Sequence, residues 1–483
     1  MHRPTPADPA EKARWLHSAT RYRMLSGDWD QDLLDWCSLH LDEERMTLLG
    51  QIDTSSNAFK QACQLQSAMT YREAPTVGHP TADISVLLDA FDKAGLWTKM
   101  PRIHYYTTGL REMVLRPDVD DDGLTIRQVF PHNVLAWADA RRPDVPVCLW
   151  ELRERVVGDE LVVAWDQADI SNPANPTFRV VQDGRPGEEA TDITEAVFGK
   201  TLDGENYPFW LPDGTPVVPY GMRHAEDTGD LWDPYFGREA VRGTLTSAML
   251  QSFTVRAAHS VTGNVVLGIN CNFGSLRVLQ QGGEGAAKVV PMEPGSMHEV
   301  QPRTKDGPPP SIVVIPPGAE LDKLAAHCDD YEKRVLYRAG VKPPDPTAQH
   351  GDARSGYALG LDDRGRREQA QAMEPMARRA DLELIQLCAL MLNLHAGRDL
   401  LPLDGYTIRY GSIPLTPEEE RERRERLTWE YSAGIIEGWE LVQAYLPGIT
   451  EQEARLRASR GNLQSLIQSA NLAAGRAGRG AVT

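Results

Sequence analysis

The chain has 483 residues, and 69 acidic against 51 basic side chains give it a formal net charge of −18 at pH 7. A chain this acidic lacks the basic footprint of a protein that recognises DNA sequence. No stretch approaches the roughly 18 apolar residues that a transmembrane helix needs, and the N-terminal residues lack the apolar core of a secretory signal. The six cysteines are widely spaced, with no CxxC pair, which favours free thiols over a zinc ribbon or a disulfide framework. We therefore expect a folded protein of about three domains, with no membrane partner.

The N-terminal part of the chain has helical hydrophobic spacing, which then changes to a strand pattern. Helices are predicted over residues 10–70 and 83–95, with a core formed by Trp15, Leu16, Leu33, Leu34, Trp36 and Leu65. Between residues 100 and 225, Gly, Asp and Pro clusters separate short alternating runs, namely IHYYTT, LREMVL, LTIRQVF, PVCLWELRERV and LVVAW. This pattern predicts an antiparallel β region.

A helix–β–helix segment follows. Asp233 and Pro234 are an N-cap and a first-turn proline, which predict the start of a helix that ends at Thr262-Gly263. Residues 264–317 are rich in Gly and Pro with short apolar runs, and they predict a small β insertion. A second helix is predicted over about 319–339, so the segment resembles a stalk with a tip.

A polar stretch, residues 341–366, lies between that helix and the next one, and its prolines and glycines predict a long loop. Long loops in compact domains are usually functional, and the alternative is an ordinary surface linker. The helix that follows contains Pro375, which predicts a kink. A strand over Tyr406–Ile413 comes next, then capping boxes at Thr416–Glu419 and Thr450–Glu453 that predict helix starts, and a disordered tail.

Familiar catalytic and metal-binding motifs are absent. The sequence has no GxxxxGK[ST], HExxH or GxSxG. Asp118–Gly123 matches the first half of a calcium loop, but Val129 stands where the bidentate glutamate belongs, so a hairpin turn is the better interpretation. His259 and His327 have no second ligand at metal spacing, and the charged run Glu418–Glu425 fits a solvated helix face. We expect neither a cofactor nor a metal.

The order of these segments, with FPHNVLAWAD at residues 130–139, SGYAL at 355–359 and the run from Thr416 to Thr450, resembles the portal proteins of tailed bacteriophages. These proteins are the head–tail connectors of long-tailed phages. The resemblance implies a structural protein and not an enzyme. It implies a ring, usually of twelve subunits, at the capsid vertex through which double-stranded DNA enters and leaves.

The resemblance also implies an architecture, a location and a set of partners. The expected α+β portal fold comprises a β-rich wing (10–230 and 367–415), a two-helix stem (233–262 and 318–340), a small β clip (263–317), a tunnel loop (341–366) and a helical crown (416–483) after the long kinked helix. The protein is expected in the virion, after assembly in the host cytoplasm. The implied partners are the terminase large subunit, the major capsid protein and scaffold, and a head-completion adaptor.

Two sets of candidate residues follow. The tunnel-loop cations that could meet DNA are Lys342, Arg354, Arg364, Arg366 and Arg367, with the alternative that some pair with Asp352, Asp362 or Asp363. The residues expected to pack within and between stems are Val241, Leu245, Ala248, Met249, Phe253, Leu324, Cys328, Tyr331 and Val335. Two other functions stay open, a hydrolase whose dispersed active site a single sequence does not reveal, and a soluble adaptor.

Overall fold

The structure is a computed structural model of the chain. It describes residues 9–49, 52–68, 70–157, 160–182, 190–233, 238–261, 265–269, 271–273, 300–302, 311–315, 321–341, 356–411, 417–445 and 451–460. All statements below concern these residues.

Helices and strands are numbered in chain order. The helices are α1 (Pro9–Ser26), α2 (Asp30–His40), α3 (Glu43–Leu49), α4 (Ala58–Ser67), α5 (Ser85–Ala94), α6 (Leu96–Leu110), α7 (Thr194–Phe198), α8 (Arg238–Val261), α9 (Leu321–Arg338), α10 (Gly356–Ala396), α11 (Pro417–Ser432), α12 (Gly438–Tyr445) and α13 (Glu451–Arg460). The strands are β1 (Thr76–Gly78), β2 (Glu112–Asp120), β3 (Gly123–Val129), β4 (Val134–Asp139), β5 (Arg142–Val157), β6 (Glu160–Asp169), β7 (Thr177–Gln182), β8 (Thr191–Asp192), β9 (Leu202–Asp203), β10 (Gly221–His224), β11 (Val265–Ile269), β12 (Cys271–Phe273), β13 (Val300–Pro302), β14 (Ser311–Ile315) and β15 (Thr407–Arg409). The protein thus combines helices with antiparallel sheets, as expected for an α+β protein.

The chain divides into two compact units. The first comprises Met1–Leu65, Tyr105–Pro117 and Arg127–Ala339, and its main sheet has the strand order β4-β5-β6-β7-β8, with β9 also paired to β7. Neighbouring strands are antiparallel throughout this sheet. Strands β2 and β3 belong to a second sheet with the order β10-β2-β3, so the predicted β region is confirmed for the runs that contribute β2, β3, β5 and β6.

Helix α1 packs against this sheet through Trp15. The indole lies beside Leu152 and Trp165, and its Nε1–H donates a 2.8 Å hydrogen bond to the Val134 carbonyl. Leu33 is also buried, but Leu16 is 59 % exposed, so its assignment to the core was wrong. Successive residues of a helix point about 100° apart, so Trp15 and Leu16 cannot both face the sheet.

The IHYYTT run, residues 103–108, was predicted to be a strand and lies inside helix α6. The buried residues of α6 explain the difference, because Leu96, Met100, Ile103 and Leu110 follow helical spacing. Tertiary burial of that stripe outweighs the strand preference of the Tyr and Thr side chains.

The second unit comprises Gln66–His104, Asp118–Ile126 and Gly340–Thr483. Strands β1 and β15 pair in it, and α10 runs for 41 residues from Gly356 through Pro375. The predicted loop over 341–366 was therefore too long, since residues 356–366 are helical. No proline follows Pro346 until Pro375, and glycines alone lower helix stability without breaking the helix.

Several local predictions are confirmed. The Asp118–Gly123 segment contains a hairpin turn, in which the Asp122 N–H donates to Asp120 Oδ1 at 3.0 Å and Gly123 has a φ of +115°. Helix α11 begins at Pro417 and α13 at Glu451, where the two capping boxes placed them. Pro234, the predicted first-turn proline, and the last dozen residues, predicted to be disordered, lie outside the described residues.

Candidate functional site

Helices α8 and α9 form an antiparallel hairpin. Three contacts establish its direction: Gly243 with Val335, Gln251 Nε2 with Glu332 Oε2 at 3.4 Å, and Thr254 Oγ1 with Cys328 Sγ at 3.3 Å. Positions rise along α8 as they fall along α9, so the two predicted helices form an antiparallel pair.

Gly243 sets how closely the two helices approach. A Cβ atom at this position would lie only 2.7 Å from Val335 Cγ2 and 3.2 Å from Val335 Cγ1. Both residues are buried, Val335 with 6 % of its surface exposed. The valine side chain therefore fills the space that any larger residue at 243 would occupy.

A neighbouring face of α8 is fixed to N-terminal parts of the chain. The Phe59 N–H donates to Thr244 Oγ1 at 2.9 Å, and the Asp53 N–H donates to Ser252 Oγ at 2.7 Å. Ala248, between these two positions, has no exposed surface. Ala248 was predicted to contact a neighbouring stem, but this chain already covers it, so Ala248 cannot serve as an exposed probe of association.

The other predicted stem residues differ in exposure. Leu245, Cys328 and Val335 are buried, Leu324 is 41 % exposed, and the half-buried ones are Val241, Met249, Phe253 and Tyr331. The α8 residues shown to contact α9 include the small or polar Gly243, Gln251 and Thr254. The hydrophobic pattern does not identify these three contact residues. Their helical spacing was the only sequence signal that they lie on one face of α8.

A small β unit connects the two helices. Strand β11 pairs with β14, from Val265 opposite Ile315 to Ile269 opposite Ser311. Strand β12 pairs with β13 inside that ladder, with Phe273 opposite Val300. The two antiparallel pairs are nested, so the described parts of the predicted insertion are β strands, and they lie between α8 and α9 in the sequence.

The predicted tunnel-loop cations are only partly described. Lys342 and Arg354, like Asp352, lie outside the described residues. Arg364 and Arg366 belong to the first turns of α10, as do Asp362 and Asp363, and Arg367 is half-buried with an interaction partner. The structure therefore assigns three of the five cations to a helix and gives no common site for all of them.

A cleft of about 300 Å³ lies between α8 and α9 near the N-terminal end of α8. Its lining residues are Glu239, Arg242, Gly243, Thr246, Tyr331, Arg334, Val335 and Arg338. Gly243 and Val335 are its buried members, and Arg242, Arg334 and Arg338 are all exposed. This cluster was not predicted from the sequence, although Arg334 and Arg338 are one helical turn apart on α9.

A buried ionic network joins β2 to the main sheet. Asp166 accepts hydrogen bonds from Arg116 Nη1 at 2.9 Å and from Arg155 Nε at 2.7 Å, and Glu151 accepts from Arg127 and from the Tyr220 hydroxyl. Burial alone raises the pKa of Asp166, but the hydrogen bond from Arg155 and the nearby guanidinium charges outweigh it and lower that pKa below its ordinary value. The Asp166 carboxylate is therefore held in its charged form.

A second buried carboxylate, Glu112, has the opposite tendency. Burial raises the pKa of Glu112 to about 7, although the hydrogen bond from the Asp233 N–H and the charges of Arg21 and Arg14 act to lower it.

In the other unit, Asp381 accepts hydrogen bonds from the hydroxyls of Tyr71 at 2.7 Å and Tyr410 at 2.6 Å. These carboxylates have hydrogen-bonding partners within the chain.

Other site types are not supported by the described residues. No cluster of three His, Cys, Asp or Glu side chains among them is arranged to hold a metal ion. Within the same residues, no helix has the length and apolar character for crossing a bilayer. No model of a known protein family matches the chain, and no curated protein is significantly similar to it in sequence.

Proposed function

We propose that this chain is the subunit of a bacteriophage portal, a ring that forms the channel for double-stranded DNA at one vertex of the capsid. In this proposal the protein is structural and has no catalytic role. It docks the terminase large subunit during packaging and later the head-completion proteins, within a capsid built from the major capsid protein and scaffold.

The observation that supports this proposal is the helical hairpin with its nested β tip. Helices α8 and α9 are antiparallel and contact each other from Gly243–Val335 to Thr254–Cys328, and the two strand pairs lie between them in sequence. A β-rich region precedes the hairpin, and a 41-residue helix, a short strand and three helices follow it. This order of elements agrees with the order of wing, stem, clip, long helix and crown that the resemblance implies, and it supports the proposal.

The charge of the chain is consistent with a DNA channel. Each phosphate that a protein neutralises adds affinity through counterion release, so a channel that lets DNA slide must limit such contacts. With a formal net charge of −18 per chain, most of the ring would repel the duplex. Energy for packaging would come from the separate terminase ATPase.

Exposed apolar residues on the hairpin provide a surface for subunit contacts. Val255 on α8 and Leu324 on α9 are each 41 % exposed in the single chain. Burying apolar surface stabilises an interface by about 25 cal/mol per Å², and head-to-tail contacts repeated by a fixed rotation close into a ring. We therefore expect neighbouring hairpins to cover these two side chains.

Light scattering coupled to size-exclusion chromatography tests the proposal. The wild-type chain should elute as a closed oligomer of many subunits, and a mass near 53.6 kDa across micromolar concentrations would refute it. Val255→Asp and Leu324→Asp should shift the oligomer toward monomers, because an unpaired charge in an interface is costly to desolvate. Val86→Asp is the matched control, since Val86 is 52 % exposed on α5, outside the hairpin.

A further inference from the structure

The cleft between α8 and α9 concentrates positive charge. Three of its lining residues are arginines, Arg242, Arg334 and Arg338, and Glu239 is its one acidic lining residue in the described chain. Among the described residues, no carboxylate lies within 4.0 Å of any of the three guanidinium groups. Exposed arginines elsewhere in the chain do form such pairs, as Arg378 does with Glu374.

Helix electrostatics explain only part of this arrangement. Arg334 and Arg338 lie in the last turns of α9, where the helix dipole favours cations. Arg242 lies in the second turn of α8 as described, near the end whose dipole favours anions. The like-charged pair on α9 also costs a few tenths of a kcal/mol. The stability of the helices therefore does not account for three arginines around one cleft.

We infer that this cleft binds a phosphate group, and that the group belongs to the backbone of double-stranded DNA. Guanidinium groups bind phosphate through paired, charge-assisted hydrogen bonds. The hydroxyls of Thr246 and Tyr331, which also line the cleft, can donate further hydrogen bonds. The same chemistry would accept free pyrophosphate, so the source of the phosphate is a matter for the experiment.

The choice of DNA rests on the proposed function. A cluster of three arginines on a subunit with a formal net charge of −18 gives a few phosphate contacts. Such contacts are weak and strongly dependent on salt. They would hold the duplex transiently and still let it slide.

The test compares two triple variants of the full-length protein. The first is Arg242→Gln, Arg334→Gln and Arg338→Gln. The control is Arg378→Gln, Arg421→Gln and Arg455→Gln, which removes the same total charge. These three exposed arginines lie outside α8 and α9, and each pairs with a glutamate on its own helix. Fluorescence anisotropy with a labelled duplex of about 20 base pairs at low salt measures DNA binding, and calorimetry with pyrophosphate measures binding of the free anion.

We expect the cleft variant to bind duplex at least about tenfold more weakly than wild type. The slope of log affinity against log salt should fall by roughly 0.9 for each phosphate that the variant no longer neutralises, and the control should change little. Equal losses of affinity in the two variants would overturn the inference. Wild-type protein that binds neither the duplex nor pyrophosphate would also overturn it. Pyrophosphate binding that is absent only in the cleft variant, without duplex binding, would support the phosphate site and assign it to a small anion.

Light scattering on the same samples separates this inference from the proposed function. Rings that bind duplex independently of the cleft arginines would refute the site and leave the ring proposal standing. A monomer that binds duplex through these arginines would refute the ring and leave the site standing.

Discussion

Replacing Gly243 with alanine tests whether close helix approach defines the hairpin. The new Cβ would lie 2.7 Å from Val335 Cγ2, well inside van der Waals contact. Val335 cannot rotate away easily, because a β-branched side chain in a helix has one strongly preferred rotamer. The two helices must therefore move apart or the valine must adopt a strained conformation.

The expected magnitude follows from two opposing terms. Alanine is about 1 kcal/mol more favourable than glycine inside a helix, whereas overpacking a tight contact costs about 1–3 kcal/mol. Gly243→Ala should thus give a net loss of up to about 2 kcal/mol in the wild-type background. In a Val335→Ala background the clash is absent, and the same substitution should stabilise the hairpin by about 1 kcal/mol.

Native-state hydrogen exchange of α8 and α9 peptides is the appropriate assay. A chain with two compact units need not unfold in one step, and exchange measures local opening free energies directly. The two Gly243→Ala effects should differ by about 1–3 kcal/mol. Equal stabilisation in both backgrounds would show that Gly243 does not set the helix separation.

Three further predictions concern buried groups. Asp166→Asn should destabilise the protein by about 3–5 kcal/mol, because the arginines around Asp166 lose their counter-charge. In the wild type, the stability that the Asp166 carboxylate contributes should be lost as pH falls through its lowered pKa. Burial raises the pKa of Glu112 from 4.5 to about 7, so the folded protein holds the neutral carboxyl and loses stability as rising pH ionises it. The Tm of the Glu112→Gln variant should therefore rise relative to the wild-type Tm between pH 5 and 8. Burial raises the pKa of the Cys63 and Cys148 thiols to about 12, so mass spectrometry should find both unmodified by iodoacetamide at pH 8 until the protein is unfolded.

Sequence patterns located the parts of this fold whose signals are local. The α8 and α9 helices follow their hydrophobic spacing, and α11 and α13 begin where capping residues predict. The failures occurred where long-range packing decides. Strand-forming residues at 103–108 are helical because α6 buries a stripe that continues on both sides of them.

The candidate sites were harder to predict than the fold. One close contact between α8 and α9 uses a glycine, Gly243, which carries no hydrophobic signal. The arginine cleft combines Arg242 with Arg334, which is 92 positions later in the sequence, so neither helix alone indicates a cluster. The burial of Ala248 likewise depends on residues near positions 53 and 59.

The nested strand pairs make the tip of the hairpin a natural point for protein engineering. Because Phe273 and Val300 are directly opposite in the β12–β13 ladder, the chain leaves the ladder and returns to it at the same position. Lengthening a loop with fixed ends costs only about 0.6 kcal/mol for each doubling of its length. A foreign domain or affinity tag inserted between Phe273 and Val300 should therefore leave the register of both ladders unchanged, and it would mark this point of the chain for electron microscopy.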